Sequence, residues 1–137
     1  MKEINKNGTK GSNMYGSTAH NIYAQNNVGV EAPVKLIEML YEGVLRFNAQ
    51  AKKSIKDNNI PKRVYWMNRS TAIIAELISI LDMKEGAISE YLAGLYNYQI
   101  QLISEAGHEN NFTKLDECSN VFKVLLEAWR ESTHVAQ

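Results

Sequence analysis

The chain has 137 residues, with 15 Lys+Arg against 15 Asp+Glu, so its formal net charge is zero. That balance excludes the basic excess that nucleic acid or an anionic membrane surface calls for. The single cysteine, Cys118, excludes an internal disulfide and points to a cytosolic protein.

Residues 1–18, MKEINKNGTKGSNMYGST, are rich in Gly, Asn, Lys and Ser. They carry too little apolar surface to offset ordering entropy, and the segment reads as a disordered N-terminal extension. No apolar h-region of a secretory signal is visible there. In residues 19–32, Ile22, Tyr23, Val28 and Val30 are apolar beads in a polar string. This reads as a short helix or extended segment that docks on the body.

The body is expected over 33–132, with a short tail at 133–137. Its first helix is predicted from Pro33 to about Asp57, since fixed φ and a missing N–H suit a first helical turn. Leu36, Ile37, Leu40, Tyr41, Val44, Leu45 and Phe47 trace an apolar arc wider than one packing seam needs. The second helix begins near Asn59, an N-cap, with Pro61 in its first turn. Its stripes are Met67, Ile74, Leu81 and Trp66, Ile73, Ile80, each spaced as helices packed along their length require. A turn follows at Lys84-Glu85-Gly86. The third helix is predicted from Ala87 to Ala106, with Ile88, Leu92, Leu95, Leu102 and Ala106 on its inner face and Gly107 as its C′ residue. The fourth starts from Asn110 or Asn111 and runs to about Ser132. Its inner face is Leu115, Cys118, Phe122, Leu125 and Trp129.

No segment alternates as a strand does, and short loops force consecutive helices antiparallel. The predicted fold is all-α: an antiparallel four-helix bundle with a short N-terminal helix or docking segment. No run of apolar residues approaches the ~20 of a membrane span.

Catalytic and metal chemistry find little support. Glu105-Ala-Gly-His108 has a di-iron spacing, but such a site needs a second copy and two further carboxylates. Cys118 lies two turns into its helix, away from any histidine, and reads as a small buried hydrophobe. There is no phosphate loop, no CxxC and no nucleophile triad spacing. No catalytic residue, no metal and no cofactor are expected. The basic group Lys52, Lys53, Lys56, Lys62 and Arg63 reads as a solvated helix end.

The surplus is apolar. A bundle needs about three-sevenths of each helix for its core. Here the first helix shows a two-sided pattern, and the third carries Tyr91, Tyr96 and Tyr98. Aromatics of this kind are enriched in binding hot spots. Residues on these two helices are therefore candidates for a groove that holds a partner segment.

Tyr23, Val28, Pro33 and the run Met39-Leu40-Tyr41-Glu42-Gly43 carry a resemblance. Ala72, Ile74, Glu76 and Leu77, then Leu81-Asp82, Gly86, Leu92 and Leu95-Tyr96, and finally Ala128-Trp129-Arg130 extend it. Over roughly residues 20–132 the chain resembles the flagellar secretion chaperone family FliS. It departs at Ala32, where the family has Thr or Ser, at Gly107, where it tends to have Asn, and in the long extension before Tyr23.

The resemblance implies a non-enzymatic, cytoplasmic export chaperone. Such a protein binds the disordered C-terminal segment of flagellin, prevents premature polymerisation and delivers it to the flagellar type III export apparatus. The expected partner-binding residues are Leu36, Leu40, Tyr41, Val44, Phe47, Tyr91, Leu95, Tyr98 and Leu102. Tyr23, Val28 and Val30 are expected to cover the groove when cargo is absent, since an open apolar groove is an aggregation liability. Flagellin is the main implied partner, with the export gate and a co-chaperone as further ones, and the free protein is expected as a monomer or weak homodimer. The competing reading is a structural or regulatory bundle that homodimerises through its surplus apolar face.

Overall fold

Asparagines punctuate this chain more than glycines do. In the computed structural model, which describes residues 31–136, helix α1 spans Glu31–Lys56. It ends where Asn58 takes a left-handed φ of 54°. The Asn59 N–H then reaches the Ser54 carbonyl at 2.9 Å and the Asn58 N–H reaches the Ile55 carbonyl at 3.1 Å, a Schellman closure. Asn59 at once caps the next helix, its side chain accepting from the Lys62 N–H at 3.1 Å. Helix α2 spans Ile60–Ser79, with Pro61 in its first turn.

A 3-10 turn, Met83–Glu85, is capped by the Asp82 carboxylate. It leads to Gly86, whose φ of 77° and ψ of −129° suit only a residue without Cβ. Helix α3 spans Ala87–Glu109. It closes as α1 does: Asn110 has φ 51°, and the Asn111 N–H meets the Ala106 carbonyl at 3.1 Å. The expected C′ role of Gly107 therefore belongs to Asn110, and Gly107 lies inside the helix. Asn111 accepts from the Thr113 N–H at 2.8 Å at the start of α4, Thr113–Ala136, which continues past Ser132.

Contacts divide the chain into two compact units, Met1–Leu36 and Ile37–Gln137. Of the first, the described part is the start of α1, where Leu36 is buried. The second holds the bundle. Among the described residues all regular structure is helical, and the four helices pack antiparallel in sequence. α3 packs on α2 and on α4. α1 meets α2 where Phe47 and Trp66 rings lie 5.5 Å apart, and where the Ser70 hydroxyl donates to Asn48 Oδ1 at 2.7 Å. It meets α4 where Lys52 pairs with Asp116 at 2.9 Å and Arg130 pairs with Glu38 at 2.7 Å and with Glu42.

α1 and α3 thus occupy opposite corners of a square, and they touch through the middle. There the Tyr41 and Tyr96 hydroxyls share a hydrogen bond of 2.7 Å. Phe122 from α4 sits edge-on to Tyr41 and stacks on Tyr96, with centroids at 5.8 and 6.2 Å. One layer further on, Asn48 donates to Ser119 Oγ at 3.2 Å and to Cys118 Sγ at 3.4 Å. Around these layers Val44, Ala51, Ile74, Leu77, Ile103, Ala106 and Leu115 are buried.

Candidate functional site

Most of the wide arc of α1 is consumed within the bundle, with Ile37 and Leu45 left half-buried. A helix at a corner faces two neighbours, and its buried set answers both. Leu40, Tyr41, Val44 and Phe47 are buried, with Phe47 toward α2 and Tyr41 toward α4 and the centre. Gly43 lies in the α2 contact: a Cβ there would stand 2.6 Å from Ile73 Cδ1. Leu102 on α3 is also buried.

The outer side of α3 is different. Tyr91 is 64% exposed and Tyr98 48%, and Leu95 between them is half-buried. Ile88, expected in the core, is 58% exposed. The spacing 88, 91, 95, 98 sets these four in one line along the helix, roughly 15 Å long at 1.5 Å per residue. The true inner seam of α3 is Ser89, Tyr96, Gln99, Leu102, Ile103 and Ala106. Two polar members, Ser89 and Gln99, hid that seam from a reading guided by apolar residues. Ser89 is accommodated by donating to the Asp82 carbonyl at 2.7 Å.

Gly94 stands beside the outer line. A Cβ there would meet nothing within 4 Å among the described residues, so no packing among them calls for a glycine. Mid-helix glycine costs about 1 kcal/mol relative to alanine. Gly94 is exposed between Tyr91 and Tyr98.

The nine residues expected at the site do not line one groove. Tyr91, Leu95 and Tyr98 share a surface of α3. Leu40, Tyr41, Val44, Phe47 and Leu102 are interior, and Leu36 is buried in the first unit. Tyr41 reaches α3 through the core hydroxyl pair and not across a surface. The residues proposed to cover the groove, Tyr23, Val28 and Val30, lie outside the described residues, as do the segments 1–18 and 19–30. The sequence reading missed Ile88 and Gly94; the three-and-four spacing from Tyr91 to Tyr98, carried back one step, reaches Ile88.

The chemically suggestive groups are otherwise engaged. The Glu105 carboxylate accepts from Lys114 at 2.8 Å and from Gln101 at 2.9 Å, and these contacts, Lys114 first, hold its pKa below the ordinary value. Burial pushes the Cys118 thiol up to about 11, so it carries no thiolate at neutral pH. Burial also raises both Tyr41 and Tyr96 above the ordinary phenol value of 10.0. Among the described residues no group of three or more His, Cys, Asp or Glu gathers as metal ligands, and no helix is long and apolar enough to cross a membrane.

The all-helical fold and the exposed line on α3 fit the class of helical binding proteins. The family model described as flagellar protein FliS matches residues 15–136. The flagellar secretion chaperone FliS of Campylobacter jejuni is 53% identical over 119 residues, covering 86% of this chain and 93% of that protein. Its counterpart in Vibrio cholerae is 27% identical, covering 79% and 80%. That of Escherichia coli is 26% identical, covering 87% and 92%. The chain belongs to the FliS family of flagellar secretion chaperones, which is non-enzymatic.

Proposed function

We propose that this protein is a cytoplasmic export chaperone that binds the disordered C-terminal segment of flagellin. It keeps that segment from polymerising early and presents it to the flagellar type III export gate. The observation that carries this reading is the 53% identity to a flagellar secretion chaperone over nearly the whole of both chains. The exposed line on α3 supports it. A ligand that folds on binding forfeits affinity to ordering but can wrap a long apolar surface, which suits cargo that must later be released and threaded.

Within the site, Tyr91, Leu95 and Tyr98 are the contacts a partner reaches without disturbing the bundle, with Ile88 at one end and Gly94 between them. Leu40, Tyr41, Val44, Phe47 and Leu102 act from beneath, by holding α1 and α3 in place. The free chaperone is monomeric or weakly dimeric, and a co-chaperone uses surface that the flagellin segment leaves open.

Co-purification with a flagellin C-terminal fragment tests the site. Wild type is expected to retain the fragment, and Tyr91→Asp combined with Tyr98→Asp to lose most of it while keeping its helical circular dichroism. Equal capture by both would remove the α3 line from the site. A stable homodimer whose light scattering is unchanged by the fragment would favour the self-associating reading instead.

A further inference from the structure

Among the described residues the buried polar side chains are Asn48, Ser54, Ser70, Ser89 and Gln99. The first four are hydrogen-bonded. Asn48 accepts from Ser70 and donates to Ser119 and Cys118. Ser54 donates to the Gln50 carbonyl and Ser89 to the Asp82 carbonyl. Gln99 is the exception. It is 1% exposed, and its Oε1 accepts nothing among the described residues. It stands about one turn from Tyr96 on the inner seam of α3. The Tyr41–Tyr96 contact adds to the imbalance, since two phenols that share one hydrogen bond leave one hydroxyl hydrogen over.

A buried amide oxygen without a donor forfeits the water it had in the unfolded chain. An apolar side chain of the same length would fill the seam without that loss. α3 is therefore held less firmly than its buried Leu102, Ile103 and Ala106 alone would hold it, and lifting it lets the Gln99 amide reach water. Folds open locally, in units, and the least firmly held unit opens at the lowest cost. We propose that α3 is the helix of this bundle that opens ahead of the others, and that Gln99 sets how often it does so. The same helix carries Ile88, Tyr91, Leu95 and Tyr98, so each opening moves the exposed line. The inference holds whatever that line binds.

Native-state hydrogen exchange on the full chain, without cargo, tests this. In wild type the α3 amides from Tyr96 to Ile103 are expected to be protected about tenfold less than those beside Val44 on α1 and Phe122 on α4, both of which are fully buried. Gln99→Leu is expected to slow the α3 amides about tenfold, in the lower part of the range that an unmade buried hydrogen bond costs. It is expected to slow the α1 and α4 amides less, and to raise Tm. Gln99→Met, a straight chain of similar length, is expected to act in the same way and serves if the branched side chain packs poorly. Wild-type α3 amides as well protected as those of α1 and α4 overturn the inference, and that comparison needs no variant to fold. Folded Gln99→Leu and Gln99→Met proteins whose α3 exchange is unchanged or faster also overturn it, the result expected if a bound water satisfies the amide.

Discussion

Gly43 sets how closely α1 and α2 approach. Its missing Cβ would lie 2.6 Å from Ile73 Cδ1, so Gly43→Ala must displace a buried side chain. Overpacking of this kind costs about 1–3 kcal/mol, more than the roughly 0.5–1 kcal/mol that alanine gains over glycine in a helix. Gly43→Ala is expected to lower Tm, and Ile73→Val, which removes the offending methyl, to restore part of it in the double variant. Thermal unfolding followed by circular dichroism reads both. Cys118 gives a pH signature. Its folded pKa lies near 11 against an ordinary 9.0, raised first by burial. The folded state therefore favours the neutral thiol, and that contribution is fully present below pH 9 and lost as pH rises from 9 toward 11. The pH dependence of Tm in that window is expected to flatten in Cys118→Ala. An unchanged slope would assign the loss to Tyr41 and Tyr96, which burial also raises and whose contribution is lost from their ordinary value of 10.0 upward.

Helix ends and helix faces were legible to different degrees. Pro61 and Asn59 marked the start of α2, and α1 began two residues before the expected Pro33. The asparagine C-termini were hidden because Asn tolerates the left-handed region only moderately and offers a weaker signal than Gly. Asn58 at φ 54° bears on stability directly: Asn58→Gly is expected to hold or raise it by under about 1 kcal/mol, and Asn58→Ala to lower it by about 1 kcal/mol. Chemical denaturation of the two variants checks this order. Faces were read well where the seam is apolar. On α4, Leu115, Cys118 and Phe122 are buried as expected, while Leu126 takes the deep position assigned to Leu125. On α3, Ser89 and Gln99 occupy the seam, which turned the reading of the helix and placed Ile88 inward when it faces solvent.

The square arrangement of the four helices decides what the surface can do. Corners α1 and α3 meet through the Tyr41–Tyr96 pair, with Phe122 against both rings. Most of the apolar breadth of α1 is therefore spent on two neighbours, while Ile88, Tyr91 and Tyr98 on α3 stay exposed. Sequence alone could count the surplus but not locate it, because corner and edge positions in a bundle are set by which helices are diagonal, and no local pattern reports that. Titration of the full chain with the last ~40 residues of the cognate flagellin, by calorimetry at several temperatures, tests the central claim most directly. Wild type is expected to bind with a clearly negative heat-capacity change, the mark of apolar burial, and Tyr91→Asp with Tyr98→Asp to lose both affinity and most of that change. Absence of binding by wild type, or a heat-capacity change untouched by the two substitutions, would contradict the account.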